Sequence, residues 1–161
     1  MGTGTSCRKD RNSRGRRFSG LAARGVGELE VILLDTHVLV WMVTDPERLS
    51  RTADREIRKA QRDRSCAIAS ISLWELALLF QKNRLRGAGS IGNSIRNILD
   101  DTGVKVLEIT PEIADLSMAF PDSYPKDPAD RLIGATARAL GLTLITQDDR
   151  ILSSPLIRSI W

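Results

Sequence analysis

Short apolar runs separated by amphipathic segments set the pattern of this chain. Val31 to Asp35 is a continuous apolar run that ends in a carboxylate, and further apolar or alternating runs follow at 66–69, 104–109 and 142–146. Runs of this kind predict strands, and the first is apolar enough to be buried on both faces of a sheet. A short last strand at 156–160 stays open.

The segments between these runs have helical spacing and residues that start or stop helices. The predicted helices cover 36–43, 50–64, a segment that includes 76–82, 91–99, 110–120 and 127–140. Thr110-Pro111 and Asp127-Pro128 each place a capping residue before a proline in the first turn, and Gly141 is the expected stop of the last helix. Strands that alternate with helices predict an α/β fold, in which a parallel sheet carries helices on both faces.

Four acidic residues fall at equivalent places in this pattern. Asp35 and Asp148 follow the ends of predicted strands, whereas Glu75 and Asp130 lie in the first turns of predicted helices. In right-handed strand-helix-strand units, the strand ends and the starts of the following helices lie on the same edge of the sheet. We therefore expect the four carboxylates on one rim, at the edge where open α/β sheets bind ligands. The sequence does not determine which strands are neighbours.

A rim of carboxylates is costly without cations, because like charges a few ångströms apart raise one another's pKa. The set contains only oxygen ligands, with no accompanying group of histidines or cysteines. Oxygen ligands suit Mg²⁺ or Mn²⁺, which keep several waters and complete their coordination with phosphate oxygens of a substrate. The chemistry expected of this rim is metal-assisted hydrolysis of a phosphodiester.

Each acidic residue also has a purely structural interpretation. Asp35 is a suitable N-cap for the helix that follows it, and Ser72-x-x-Glu75 matches a capping box. Asp130 is expected at the third position of its helix, where the helix dipole favours an acid. Asp148 fits an ordinary turn. Both interpretations stay open for each residue at this point.

The positive charge of the chain is concentrated at its beginning. The whole chain has a net charge of +4, and residues 1–28 contribute +5, which leaves −1 for residues 29–161. Residues 1–28 are rich in Gly, Ser and Arg, so we expect a disordered basic extension before a folded domain at 29–161. The extension is either an arm that binds RNA or an upstream segment without a structural role.

The apolar runs around Leu34 and Leu76 are far shorter than a bilayer span, and no signal-peptide pattern opens the chain. Cys7 and Cys66 form neither a disulfide framework nor a metal-ligand spacing, so reduced thiols are expected. These features predict a cytoplasmic protein with no membrane association.

Four motifs, in this order along the chain, resemble those of the PIN-domain ribonucleases, and most of all the VapC-type toxins of type II toxin-antitoxin systems. They are LDTHVLVW at 34–41, SISLWE at 70–75, DPADRLIGATA at 127–137 and LITQD at 144–148. The resemblance covers about residues 31–161. The basic extension departs from it, since such toxins usually begin at or just before the first strand, and this puts the start of the chain in doubt.

The resemblance implies a three-layer α/β/α PIN-like domain with a central parallel sheet. It implies an endoribonuclease that depends on Mg²⁺ or Mn²⁺, acts on RNA and is inhibited by a cognate VapB-type antitoxin, and it leaves a homodimer open. The site residues carried over are Asp35, Glu75, Asp130 and Asp148 as catalytic residues and metal ligands, with Thr146 as a supporting hydroxyl.

Two other classes of function are compatible with an α/β sheet that has acids at its strand ends. A phospho-acceptor signalling domain would need a pair of acids after the first strand and a lysine after a late strand. Here Asp35 has no acidic neighbour, and the late strand is followed by Gln147 and Asp148. A catalytically silent interaction module stays open.

Overall fold

The computed structural model describes Met1 and residues 30–161, so the predicted basic extension falls outside the described part of the chain. Residues 30–161 form a five-stranded parallel sheet with the order β3-β2-β1-β4-β5. The strands are β1 (Ile32–Leu34), β2 (Cys66–Ala69), β3 (Lys105–Leu107), β4 (Thr143–Ile145) and β5 (Ser159–Ile160). Every predicted strand is present, and β3 is shorter at both ends than its alternating pattern indicated.

Seven α-helices connect and cover the strands in the described part of the chain. They are α1 (Thr36–Thr44), α2 (Arg51–Arg62), α3 (Ile71–Gln81), α4 (Ile91–Thr102), α5 (Pro111–Met118), α6 (Pro128–Leu140) and α7 (Asp149–Leu152). Ser50, Ser90, Thr110 and Asp127 cap α2, α4, α5 and α6 through their side chains. Among these helices, none has the length and apolar content that crossing a bilayer would require.

Some helix boundaries differ from those predicted. Helix α4 continues to Thr102, and its acidic end is exposed. The helix stops at Gly103, which takes the left-handed conformation with φ of +65°. A short 3₁₀ turn at Pro46–Arg48 and helix α7 were not predicted. Both contain only one turn, which is too short for a hydrophobic period to appear in the sequence.

Residues of β1 alternate between two hydrophobic cores. Ile32 and Leu34 lie in one core, which also receives buried residues of α1 and α2, whereas Leu33 lies in the other with residues of α5 and α6. All three are buried because helices cover both faces of the sheet. The predicted three-layer α/β/α arrangement is confirmed.

The central position of β1 determines where ligands can bind. The chain adds β2 and β3 on one side of β1 and then returns to place β4 and β5 on the other side. The carboxyl ends of β1 and β4 therefore form the switch point of the sheet, the place where open α/β sheets bind ligands. The pairing continues beyond the strands, because the backbone N–H of Asp35 donates to the carbonyl of Ile145 at 3.0 Å.

The segment before α6 is packed tightly against that helix. Tyr124 is 2% exposed and stacks on Phe120 with a centroid separation of 4.0 Å. Arg131 of α6 donates from Nε to the carbonyl of Pro125 at 3.0 Å and from Nη1 to that of Phe120 at 3.3 Å. These contacts fix the start of α6, where two acidic residues of the predicted site region lie.

A substitution at Gly134 tests how tightly this segment packs against α6. A Cβ at Gly134 would collide with the Tyr124 hydroxyl and ring and would lie 2.9 Å from Ile157. We expect Gly134→Ala to destabilise the protein by about 1–3 kcal/mol, since overpacking forces rigid neighbours to move. Gly92→Ala is the matched control, because nothing lies within 4 Å of a Cβ there and alanine favours a helix. Thermal unfolding should show a lower Tm for Gly134→Ala only; an equal Tm in both variants would contradict this packing.

Candidate active site

One threonine connects the carboxyl ends of the two central strands. Thr146, which is completely buried, donates its hydroxyl to Oδ2 of Asp35 at 2.7 Å. The same hydroxyl oxygen accepts from the backbone N–H of Asp148 at 3.1 Å. Asp35 is 9% exposed, and it also accepts weakly from the N–H of His37, 3.3 Å away, as the N-cap of α1. Asp35 is therefore both the N-cap of α1 and the carboxylate that Thr146 holds at the strand ends.

Asp148 is held by the helix that it begins. Its Oδ1 accepts from the backbone N–H groups of Arg150 and Ile151 at 2.8 and 3.3 Å, as the N-cap of α7. Its other oxygen lies 3.6 Å from the Arg150 guanidinium. These bonds give Asp148 a defined orientation. Asp148 is therefore the N-cap of α7, beside the switch point, and not an ordinary turn residue.

Glu75 reaches the rim from the second turn of α3, not from the first turn as predicted. Helix α3 starts at Ile71, so Ser72 lies inside the helix, and the capping-box interpretation is wrong. The Ser72 hydroxyl is buried and has no hydrogen-bond partner among the described residues. Glu75 instead accepts from the hydroxyl of Thr36 at 2.5 Å, a contact that joins α3 to the start of α1.

Asp130 lies at the third position of α6, as predicted, behind the N-cap Asp127, whose side chain accepts from Ala129 N–H at 2.8 Å. The pKa of Asp130 is raised from its ordinary 3.8 to about 7, and partial burial is the largest cause. Repulsion from neighbouring carboxylates adds to this effect; they are Asp35, Asp127, Glu75 and Asp148. The acids predicted from distant parts of the sequence are therefore within electrostatic reach of one another.

The other residues of the rim respond to the same crowding. The pKa of Glu75 is raised, mainly by burial and also by repulsion from Asp35 and Asp127, although the Thr36 hydroxyl opposes this effect. Burial also raises the pKa of Tyr124, and the neighbouring acidic charges add to the shift. Excess negative charge at a partly buried site is a setting that favours a bound cation.

The donor set of the rim fits a hard divalent cation. Among residues 30–161, no three acidic, histidine or cysteine side chains are already gathered closely enough to hold an ion by themselves. Mg²⁺ does not require such a cage, since it usually keeps several waters and takes one or two carboxylates together with substrate phosphate oxygens. Asp35, Glu75, Asp130 and Asp148 would supply those carboxylates.

Two residues near the rim were not singled out from the sequence. Thr36 is 1% exposed and holds Glu75, while the Tyr124 hydroxyl lies 3.5 Å from the backbone carbonyl of Asp130. The sequence feature that could have identified Thr36 was its place at the first helical position, directly after an acid that ends a strand. Nothing in the local sequence around Tyr124 indicated that it packs beneath α6.

Comparisons with known proteins agree with this fold. The model of the PIN domain family matches residues 32–154, and the chain belongs to the PIN domain family. Among curated proteins, it is 38% identical to ribonuclease VapC22 of Mycobacterium tuberculosis over 135 residues, which cover 83% of this chain and 100% of that protein. The chain is a homologue of that ribonuclease.

Solved structures share the fold at much lower identity. VapBC2 of Rickettsia felis, bound to a DNA fragment from its promoter, matches with a TM-score of 0.62 at 15% identity, over 81% of this chain and 97% of that one. DNA-bound VapBC of Salmonella typhimurium matches with a TM-score of 0.61 at 18% identity, over 81% and 97%. At these identities the structural likeness establishes the PIN-like α/β/α fold.

The raised pKa of Asp130 makes the stability of the metal-free protein depend on pH. Because the folded state binds this proton more tightly than the unfolded chain, stability is lost as pH rises from about 4 to 7. Asp130→Asn removes the ionisation, so its advantage in stability over the wild type should grow across that interval and then level off. Thermal unfolding in excess EDTA at several pH values measures this. Asp115→Asn, an exposed position on α5, is the control and should show no such trend; a pH-independent effect of Asp130→Asn would contradict the assignment.

Proposed function

We propose that this protein is the toxin of a VapBC-type toxin-antitoxin pair and acts as a Mg²⁺- or Mn²⁺-dependent endoribonuclease. The observation that carries the proposal is that Asp130 lies within electrostatic reach of Asp35, Glu75 and Asp148 at the carboxyl edge of the sheet, where burial first and repulsion among these acids second raise its pKa to about 7. The 38% identity with a curated VapC ribonuclease supports the same reaction.

The proposed mechanism assigns distinct tasks to the residues of the rim. Thr146 donates to Oδ2 of Asp35 and Thr36 donates to Glu75, and these bonds orient the two carboxylates for ligation. Asp130 and Asp148 complete the acidic set that holds the cation. When bound, Mg²⁺ or Mn²⁺ supplies Lewis acidity, which offsets the charge that develops on the phosphate and activates water for attack. In the proposed hydrolysis a water oxygen forms a bond to phosphorus, the bond from phosphorus to the leaving nucleotide's oxygen breaks, and that oxygen takes up the proton lost by the water.

A VapB-type antitoxin is the proposed regulatory partner. Support comes from solved structures of VapBC pairs that share the fold, including those of Rickettsia felis and Salmonella typhimurium. Trp74 on α3 is 58% exposed and precedes Glu75 in the helix, which makes it a candidate contact for such a partner. Large exposed aromatic residues are enriched at protein interfaces. A homodimer is a further proposal, and the cytoplasm is the compartment in which RNA and antitoxin would be met.

Cleavage should require a divalent cation and an intact rim. We expect the protein to cut a pool of single-stranded RNA oligonucleotides in Mg²⁺ or Mn²⁺ and to stop when EDTA is added. Asp35→Asn and Glu75→Gln should each lose most activity, since an amide oxygen is a poorer ligand for a hard cation than a carboxylate. Gel or mass-spectrometric detection of the fragments measures the reaction.

Asp100→Asn, at an exposed position of α4, provides the matched control and should cleave like the wild type. All variants should be purified identically, so that contaminating nucleases appear equally in each. Cleavage that persists in EDTA, or a fully active Asp35→Asn protein with an unchanged Tm, would refute the proposed reaction.

The contact between α1 and α3 gives a second test of the mechanism. Thr36→Val removes the hydroxyl that donates to Glu75 and conserves the shape of the side chain. A hydrogen bond to a charged group contributes about 1.5–3 kcal/mol, so we expect about a tenfold or greater loss of cleavage rate near neutral pH. The loss should shrink as pH rises, because without this donor the pKa of Glu75 moves further upward. A pH–rate profile measures both effects.

Thr44→Val is the control for this substitution, since Thr44 ends the same helix and donates only to the carbonyl of Val40, on the exposed side. It should leave the profile unchanged. If the two threonine variants behaved alike, Thr36 would have no specific role in positioning Glu75.

A further inference from the structure

The segment that joins α3 to α4, together with the adjoining parts of both helices, has a charge pattern unlike the rest of the folded chain. Residues 76–99 contain four basic residues and no acidic residue, although residues 29–161 together carry −1 once the +5 of residues 1–28 is taken from the total of +4. The basic residues are Lys82, Arg84, Arg86 and Arg96, all exposed. Unbalanced positive charge on an exposed turn attracts polyanions.

The charges of the basic turn, residues 82–86, are free to meet a ligand. Within residues 30–161, no ion pair involves any of its three cations. Helix α2 also carries many arginines, but it balances two of them within the helix. Those pairs are Arg58–Asp54 at 2.8 Å and Arg55–Glu56 at 3.0 Å. Helix α2 reaches a net charge of +3 with five basic and two acidic residues, whereas the basic turn reaches +3 with no acidic residue.

The basic turn is also fixed in place. Leu85, at its centre, is 9% exposed within a hydrophobic core, and its backbone N–H donates to the carbonyl of Leu79 at 3.2 Å. Just beyond the turn, Gly87 packs so closely on the hydroxyl of Ser94 that a Cβ could not be accommodated. Because the backbone is anchored on both sides, the backbone of the turn loses little freedom when a ligand binds.

An open hollow of about 440 Å³ lies beside the basic turn. Its lining combines the cation of Arg86 with the polar side chains of Asn83 and Ser94 and the ring of Phe80. This volume is in the range of small-ligand sites. Positive charge combined with an aromatic surface is the usual combination in proteins that bind single-stranded nucleic acid.

Helix α3 connects this hollow to the acidic rim. Glu75 lies in the rim, and Lys82 follows about two helical turns later, roughly 10 Å further along the axis at 1.5 Å per residue. A strand whose phosphodiester lies at the rim can therefore continue along α3 to the basic turn. The carboxylates alone would repel that strand, so a separate cationic contact is needed to retain it.

We propose that the basic turn and the adjacent hollow are an RNA-backbone binding site, which holds the single-stranded substrate a few nucleotides from the bond that is cut. Arg84 and Arg86 contact phosphates, and the hollow takes one nucleotide. The contacts are to the backbone, so they increase affinity for RNA without selecting its sequence. The inference rests on the proposed function, since it concerns the substrate of the same rim.

The experiment compares RNA binding in an Asp35→Asn background, in which the strand is not cut. Binding of a labelled single-stranded RNA is measured at several salt concentrations for this protein and for the same protein with Arg84→Ala/Arg86→Ala. We expect weaker binding to every RNA sequence and a smaller slope of log affinity against log salt, by about 0.7 for each lost phosphate contact. In an otherwise wild-type protein, the double variant should raise KM and leave kcat unchanged.

Arg55→Ala/Arg58→Ala on α2 is the matched control, because it removes the same charge from an exposed helix. It should reduce the salt slope less than the basic-turn variant does. Equal slopes for the two double variants, or loss of antitoxin binding with RNA binding unchanged, would overturn the proposal. Binding is measured without cleavage, so a protein that binds RNA through the basic turn yet never cuts it would refute only the proposed reaction.

Discussion

Repulsion among carboxylates is the constraint on which the rest of this structure depends. The sheet order places β1 between β2 and β4, so the residues that follow these strands are forced onto one edge. Burial and mutual repulsion together raise the pKa of Asp130 to about 7 and also raise that of Glu75. The stability of the rest of the domain compensates for the unfavourable charge repulsion in this rim, and a bound cation would reduce that repulsion.

The described residues compensate for this crowding mainly with neutral hydrogen-bond donors, and one guanidinium, that of Arg150, also lies 3.6 Å from Asp148. Thr146 donates to Asp35, Thr36 donates to Glu75, and backbone N–H groups at the start of α7 donate to Asp148. Neutral donors orient the carboxylates and leave their negative charge available to a cation. The arginine that follows Asp130, Arg131, turns away and ties down the loop before α6. The positive charge that a polyanionic substrate needs lies instead on the basic turn beyond α3.

The sequence predicted the parts of the site that depend on local pattern. Asp35 was located by the apolar run that it ends, and Asp130 by the cap and proline that start α6. Glu75 was expected in the first turn of α3 and lies in the second. The start of α3 is apolar on nearly all sides, so no hydrophobic period in the sequence marks where the helix begins. The bond from Thr36 to Glu75 spans 39 residues, and only the tertiary packing of α1 beside α3 creates it. Strand order, which defines the switch point, depends equally on long-range pairing.

The central proposal is that the four carboxylates hold a hard divalent cation at the carboxyl edge of β1 and β4. Crystals grown with Mn²⁺ test this most directly, because anomalous diffraction locates the metal without reference to any assay. We predict an anomalous peak beside Asp35 that is bounded by at least one of the other three acids and that disappears in Asp35→Asn crystals. A peak elsewhere on the surface only, or a rim without metal at saturating Mn²⁺ and neutral pH, would contradict the account.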